Sequence, residues 1–501
     1  MKTSFSTLAT PERDAGLNTA YIWAISLAAA LGGLLFGYDW VVIGGAKPFF
    51  EPFFGITRTV MANGMSTTVT NEALSGWANS CALLGCLLGS LVTGGLSDRF
   101  GRKRLLAAAA LLFGVSSILT GWAPGFSWFV TWRILGGVAI GMASNLSPMY
   151  IAEVAPAKLR GRLVALNQLT IVIGILAAQV VNWWIADKLP HPGLDAAAIE
   201  AARRAWNNTA GWRWMFTAVA LPSLLFLIGA VSVPESPRWL VKNGMTTRAR
   251  AVLARIGGAA YSEEAVRDIA STIAADEVHQ VRFRGLLQPS LKKILLVGVA
   301  LAVLQQWSGI NSIFNYAEEI YKSAGYGLGD IMFNIVITGA VNLLFTLLAI
   351  GAVDRFGRRK LMLIGCAGIG LSHLLIGIAY ASHVKGLAVL VFTLSALGCY
   401  AMSLAPVTWV LIAEIFPNRI RGAAISVAVS ALWIACFILT FAFPMLNGTI
   451  GMSGTFWLYS AICFAGFGFV YFRVPETRAK TLEQIERELV NGSFSEAGPR
   501  P

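Results

Sequence analysis

Twelve stretches of this chain stay apolar for roughly the length of a membrane crossing. They lie near 22–46, 73–96, 105–122, 127–152, 163–186, 214–233, 293–322, 331–353, 361–381, 387–413, 422–446 and 454–473. About 20 residues of α-helix span the ~30 Å of bilayer hydrocarbon. Inside that layer every backbone N–H and C=O must find a partner without water, so apolar runs of this length are predicted as helices. The composition agrees, with 56% hydrophobic and only 13% charged residues, too few charges to coat a water-soluble chain of this length. The expected class is an all-α polytopic membrane protein with twelve transmembrane helices. A polar stretch precedes the first run and no small-residue cleavage site follows it, so the first helix is expected to be retained.

Two of the polar connections repeat each other. Residues 94–104 read GGLSDRFGRKR and residues 351–361 read GAVDRFGRRKL. Glu153 precedes Arg160-Gly161 at the same spacing at which Glu414 precedes Arg421-Gly422. Both pairs of copies lie roughly half a chain apart, the mark of a tandem duplication and of the way many secondary transporters are built. The expected organisation is an N-terminal segment (1–21), a six-helix bundle (22–233), a linker (234–292), a second six-helix bundle (293–474) and a tail (475–501). The linker opens on PESPRWL, and its charged, Ala-rich body predicts short amphipathic helices.

Basic residues set the expected orientation. Arg99, Arg102, Lys103 and Arg104 follow the second run, and Lys158, Arg160 and Arg162 the fourth. Arg355, Arg358, Arg359 and Lys360 follow the eighth, and Arg419 and Arg421 the tenth. The positive-inside bias puts these loops and both termini in the cytoplasm, the protein being a multi-pass component of the inner or plasma membrane. This bias accounts for most of the net charge of +13, and charge scattered over loops argues against nucleic acid as a partner. The six cysteines fall inside apolar runs, with no metal-ligand or disulfide spacing. No phosphate loop, metal cluster or nucleophile elbow is legible, so no enzyme activity, no metal and no cofactor are expected. Any uphill movement would then draw on an ion gradient.

Motifs along the whole chain sharpen this. DRFGRKR, PESPRWL, QQWSGINSIFNY (305–316), DRFGRRK and PETRAKTLEQIE (475–486) occur in that order around the twelve runs. In this the chain resembles the sugar porter family of the major facilitator superfamily, which includes bacterial sugar–proton symporters and facilitative glucose carriers. The resemblance implies two pseudo-symmetric six-helix bundles around a central site that opens to either side in turn.

A charge at mid-bilayer costs at least about 2.5 kcal/mol, so each one needs a reason. Asp39 lies in the first run and Arg133 in the fourth, both roughly 10 Å from the outer face at 1.5 Å per residue. They can therefore meet. A static ion pair would gain little over apolar packing, whereas a carboxylate beside a movable arginine can load and release a proton. The resemblance implies that Asp39 and Arg133 form the coupling pair. The proton is expected as coupling ion, because one carboxylate beside an arginine is a poor sodium site. His373, in the ninth run, reads as a packing histidine.

The repeated polar connections suggest a cytoplasmic gate. Asp98, Arg99 and Arg102, Glu153 with Arg160, Asp354, Arg355 and Arg358, and Glu414 with Arg421 pair carboxylates with bases at one membrane level. Such pairs can latch one face and separate when the bundles rock.

For the substrate, neutral amides offer both donors and acceptors to hydroxyls, and aromatic rings cover the C–H face of a sugar. Gln305, Gln306, Asn311 and Tyr316 cluster in the seventh run around Gly309, which permits local unwinding. The resemblance adds Gln168, Asn342, Trp409 and Trp433 as sugar contacts, with Phe36 lining the same cavity. Two positions depart from the pattern that the resemblance implies: Ile175 and Leu432 are apolar where a bacterial sugar–proton symporter of the family has glutamines. A monosaccharide, a hexose first, imported by proton symport is therefore expected. Facilitated sugar diffusion and carriage of inositol or another polyol are the alternatives. A monomer in contact with membrane lipid is the expected state.

Overall fold

In the computed structural model the described residues are 16–62, 65–186, 196–278, 289–416 and 421–477, and for some of these, Asp354 and Arg421 among them, the backbone alone is described. The first half contains α1 (Thr19–Phe53), a hairpin of β1 (Thr57–Ala62) and β2 (Met65–Thr70), α2 (Glu72–Phe100), α3 (Arg102–Gly121), α4 (Phe126–Val154) and α5 (Ala157–Ala186). Its sixth crossing is segmented into α6 (Ala196–Trp206), a π-helical turn (Asn207–Gly211), α7 (Trp212–Thr217) and α8 (Ala220–Ser232). Two helices follow in the linker, α9 (Pro237–Lys242) and α10 (Thr246–Val278), the latter kinked at Gly257–Gly258.

The second half opens on a crossing broken into α11 (Pro289–Trp307), α12 (Ile310–Asn315) and α13 (Ala317–Ser323). Then come α14 (Leu328–Phe356), α15 (Arg358–Ala381), α16 (Leu387–Met402), α17 (Leu404–Ile415) and α18 (Arg421–Arg473). Gly451, at φ +71°, turns the chain inside α18, so that this stretch makes the eleventh and twelfth crossings. Leu221, Leu224, Leu225 and Ile228 of α8 are exposed, as side chains facing lipid should be.

Glycines set the tightest contacts within the first half. A Cβ on Gly85 of α2 would lie 2.0 Å from the Ile134 carbonyl oxygen of α4, and one on Gly137 of α4 would lie 2.0 Å from that of Ala82. Gly37 of α1 and Gly174 of α5 approach each other's helices in the same way. Without a hydrophobic drive between helices in lipid, such close backbone approach is what holds them together. The halves meet through α2 against α18 and α5 against α14.

Three features differ from the sequence expectation. Helix α1 runs to Phe53, past Pro48 and Pro52, and so brings Lys47 and Glu51 into the helix. A β-hairpin follows, pairing Thr57 with Thr70 through Ala62 with Met65. The amphipathic α6 precedes the sixth apolar run. We call the end of the molecule carrying the hairpin the hairpin end, and the opposite one, carrying the repeated DRFGR motifs, the basic end.

Candidate functional site

Asp39 on α1 and Arg133 on α4 meet inside the first half. Arg133 Nη1 donates to both Asp39 oxygens, at 2.9 and 2.8 Å, and each residue is only 5% exposed. The guanidinium also lies 5.4 Å from the Phe216 ring centroid. The pair lines a cavity together with Trp40, Asn79, Cys86 and Asn315. Asn315 belongs to α12, so this cavity lies between the halves.

The seventh crossing is unwound where the amides cluster. Gly309 adopts the left-handed conformation at φ +85°, and a Cβ there would lie 2.6 Å from the Tyr459 ring. Glycine is the residue that reaches this φ without steric cost. The break separates Gln305 and Gln306 from Asn311, which would otherwise continue one helix. Gln305 Nε2 donates to the carbonyls of Leu404 and Ala405, each at 3.2 Å. Gln306 Nε2 donates to Gln305 Oε1 at 3.4 Å, and Asn311 Nδ2 donates to Gln306 Oε1. All three amides are buried, so the chain of bonds fixes their orientation while leaving spare donors and acceptors.

An aromatic cluster joins α1 to α18. Phe36 and Trp433 have ring centroids 5.9 Å apart, and Trp40 lies 6.2 Å from Trp433. Trp433 Nε1 is buried without a hydrogen-bond partner among the described residues. Tyr316 is buried at the end of α12, donates to the Thr440 carbonyl at 2.6 Å, and stacks on Phe443. Its hydroxyl is therefore spent on α18. Asn342 is buried on α14, Gln168 is part-buried on α5, and Trp409 on α17 is 42% exposed.

At the basic end the two halves repeat one design. Gly101 (φ +91°) and Gly357 (φ +88°) separate α2 from α3 and α14 from α15. Glu235 accepts from the backbone N–H of Arg102 and Lys103 at 2.9 and 3.1 Å, and Glu476 from those of Arg358 and Arg359 at 3.0 and 3.2 Å. Each carboxylate thus fills the orphan donors of a helix N-terminus and meets its dipole. Arg102 binds both oxygens of Glu153, at 3.0 and 2.9 Å, and Arg358 contacts Glu414 at 3.4 Å. Asp98 bonds Arg102 and Lys242.

The pairing differs from the expected one. Glu153 meets Arg102 and Ser236, while Arg160 is exposed one turn into α5. Arg99 and Arg355 each lie against the phenylalanine that follows them. None of the ion pairs named here joins one half to the other, Asp98–Lys242 tying the first half to linker helix α9. The side chains of Asp354 and Arg421 lie outside the described residues.

Sequence reasoning missed the charge cluster at the hairpin end. Lys47 of α1 is buried, contacts Glu51 at 3.3 Å and donates to Glu319 of α13 across the halves. It also lies 5.4 Å from the Tyr316 ring centroid. Glu51 accepts from Ser75 and from Thr57. Around it the halves touch backbone to backbone: a Cβ on Gly44 would lie 2.4 Å from the Phe314 oxygen, and one on Gly76 2.3 Å from that of Phe441. Gly94, Gly95, Gly161, Gly351 and Gly422, toward the basic end, have open space at that position. The molecule is closed at the hairpin end.

Two six-helix halves around a polar cleft, with the buried Asp39–Arg133 pair on that cleft and a broken seventh crossing, define a membrane carrier of the major facilitator fold. Residues 25–489 match the family described as "Sugar (and other) transporter", and the chain belongs to that family. It is 37% identical over 493 residues to the D-xylose-proton symporter of Escherichia coli (strain K12), covering 94% of this chain and 96% of that one. It is 35% identical over 468 residues to the arabinose-proton symporter of Bacillus subtilis (strain 168), covering 93% and 95%. With the glucose transport protein of Synechocystis sp. (strain ATCC 27184 / PCC 6803 / Kazusa) it shares 38% identity over 483 residues, covering 93% and 97%. Among solved structures, a partially occluded inward open conformation of the xylose transporter XylE from E. coli superposes with a TM-score of 0.78 at 35% identity, covering 92% of this chain and all of that one. XylE bound to 6-bromo-6-deoxy-D-glucose superposes with a TM-score of 0.74 at 36% identity, covering 94% and 99%.

Proposed function

We propose that this chain imports a monosaccharide, a hexose first, by proton symport through alternating access. The observation that carries this reading is the Asp39–Arg133 pair, buried yet facing the cavity between the halves. A buried pair that never opened would gain little over apolar packing. A carboxylate on a cavity can take a proton when its arginine swings away and return it when the arginine closes back. The named activities of the xylose and arabinose symporters support proton coupling, and that of the glucose transport protein supports a hexose.

The sugar's hydroxyls would bond Gln305, Gln306 and Asn311 on the broken crossing, with Gln168 and Asn342 opposite, and its C–H face would rest on Phe36, Trp409 and Trp433. Tyr316 would shape this wall through its ring. The buried, unpartnered Trp433 Nε1 supports a polar occupant, since such a donor costs about 1–3 kcal/mol when left unmet. Ile175 and Leu432, both buried and apolar, remove two amides and favour fewer polar contacts.

In this reading the basic end faces the cytoplasm, as positive-inside bias requires, and both termini lie there, in a monomer in the cell membrane. The conformation is then the one that has delivered sugar and proton inward. Asp98, Arg99, Arg102, Glu153, Arg160, Asp354, Arg355, Arg358, Glu414 and Arg421 would meet across the halves when that end closes.

Uptake of a labelled sugar panel into proteoliposomes, with and without an inward pH gradient, tests the proposal. Gradient-driven accumulation of a hexose is expected. Equilibration without accumulation would instead make the chain a facilitative uniporter, and uptake confined to inositol would make it a polyol porter.

A further inference from the structure

The break at Gly309 leaves the Ser308 carbonyl at the end of α11 without a helical partner, and a buried orphan carbonyl must be answered from elsewhere. His373 of α15 answers it: its Nε2 lies 2.8 Å from Ser308 O. A carbonyl only accepts, so Nε2 carries the proton and Nδ1 is bare. Nδ1 is buried and has no hydrogen-bond partner among the described residues, so the ring is held by its single N–H and by packing. It packs 5.4 Å from the Phe456 ring and 5.9 Å from the Tyr459 ring.

The same scaffold fixes the other side of the break. Tyr459 lies under Gly309 and its hydroxyl bonds Ser312 at 2.9 Å, while Ser308 Oγ donates to the Gln305 carbonyl at 2.9 Å. Residues 308 and 312 are thereby tied to α15 and α18. Gln305 and Gln306 lie three and two residues before the tied carbonyl, and Asn311 follows it within one turn. The bend that brings Asn311 Nδ2 onto Gln306 Oε1 depends on where Ser308 is held.

We propose that His373 is a positioning residue for the sugar site, whose Nε2–H sets the bend of the seventh crossing and so aims Gln305, Gln306 and Asn311. This rests on the reading of those amides as sugar ligands. His373 itself touches no substrate. A histidine is suited to the task because it delivers one N–H from a rigid ring of aromatic shape, and so can both pack against Phe456 and reach a carbonyl across a helix interface.

The test compares the full-length protein in proteoliposomes and nanodiscs with His373→Phe, which keeps the ring and removes the N–H, and His373→Gln, which restores an N–H. The expected result for His373→Phe is a rise of about tenfold in the half-saturating sugar concentration with the maximal exchange rate within about twofold of wild type. His373→Gln should recover most of the affinity. A residue needed only for folding would lower the yield of folded carrier and leave the half-saturating concentration where it was. Hydrogen exchange of the 305–316 amides, measured without any sugar, gives a second readout. Faster exchange at 308–312 in His373→Phe, reversed in His373→Gln, is expected. Wild-type exchange together with wild-type affinity in a folded His373→Phe protein would overturn the proposal. If wild type itself transports no sugar of the panel while the exchange difference persists, the substrate reading fails and the role of His373 in the bend stands.

Discussion

Lys47 of α1 reaches Glu319 of α13, one buried side chain from each half, directly beside the place where Gly44 and Phe314 bring the two backbones together. The contact is a cross-half ion pair at the closed end. Glu51 shares the ammonium, and Ser75 and Thr57 each donate to one of its two oxygens, so the cluster is well satisfied. Opening the hairpin end must part Lys47 from Glu319.

Lys47→Met should therefore favour the state open at the hairpin end. Losing one partner of a buried pair costs about 3–5 kcal/mol, and only the closed state has the cross-half contact to lose. A single cysteine introduced in the cavity, on a background without the six native ones, should label faster from the hairpin side in Lys47→Met than in the parent. Adding Glu319→Gln to Lys47→Met should move labelling part of the way back toward the parent, because it removes a carboxylate left without its partner. Unchanged labelling in a folded Lys47→Met protein would make the cluster a static element.

How much of this the sequence discloses depends on the range of the interaction. The twelve crossings are legible because each is a local count of apolar residues. The amide cluster at 305–311 is legible because Gly309 sits among the residues it serves. Lys47 was hidden by its own surroundings: two prolines and two charges after Ala46 read as the end of a helix, yet the helix continues to Phe53. Its partner lies some 270 positions away, and no spacing rule links them. The hairpin did leave a signal, Asn63-Gly64, the dipeptide that two-residue hairpin loops favour. Likewise sequence spacing pairs Glu153 with Arg160, while its partner, Arg102, lies 51 positions away at the start of α3. The Pro-Glu pairs at 234–235 and 475–476 stood out as motifs, but only the structure discloses that their glutamates cap α3 and α15.

Asp39→Asn should abolish gradient-driven accumulation while sparing sugar binding. Asparagine keeps the shape and can accept from Arg133, but it cannot carry a proton between the two sides. Accumulation is measured in proteoliposomes under an imposed pH gradient and binding by calorimetry. Sugar concentrated against its gradient by Asp39→Asn would remove Asp39 from the coupling step.

Gln306→Ala should weaken sugar binding by about 1–3 kcal/mol, the cost of hydroxyls left without partners in a buried site. It also releases Asn311, which donates to Gln306, so Asn311→Ala added to it should cost less than the sum of the two. Trp433→Phe removes the unpartnered Nε1 and part of the ring area while keeping an aromatic face, and should weaken binding less. Calorimetric titration of the single and double mutants checks all three, and full affinity in Gln306→Ala would move the site off the seventh crossing.

Gly101→Ala and Gly357→Ala should destabilise the carrier in parallel. Both glycines hold φ near +90°, where L side chains are strained. An added Cβ would also lie 2.3 Å from Glu235 Oε2 in one half and 2.7 Å from Glu476 Oε2 in the other. The capping carboxylate must retreat, so each substitution should cost about 1–2 kcal/mol for the cap besides the strain. Thermal unfolding in detergent should record a lower midpoint for each, and an unchanged midpoint for either would mean that its capping carboxylate contributes little.

The last prediction separates a scaffold from a gate at the basic end. Arg102 holds Glu153 and Asp98 within the first half in the present conformation, where the hairpin end is closed. If that is its whole role, Arg102→Met leaves Glu153 poorly compensated in every state, lowers thermal stability and leaves the balance of states alone. If Arg102 and Glu153 also meet the second half when the basic end closes, the closed-basic-end state loses more than the present one, and the population moves further toward the form seen here. We expect the second outcome, because the design is duplicated in Arg358 and Glu414 at the matching position of the other half. Thermal midpoint and cavity labelling from both sides, measured on Arg102→Met and on Arg358→Met, distinguish the two. A lower midpoint with wild-type labelling ratios in both mutants would make the repeated motif a scaffold for the helix ends.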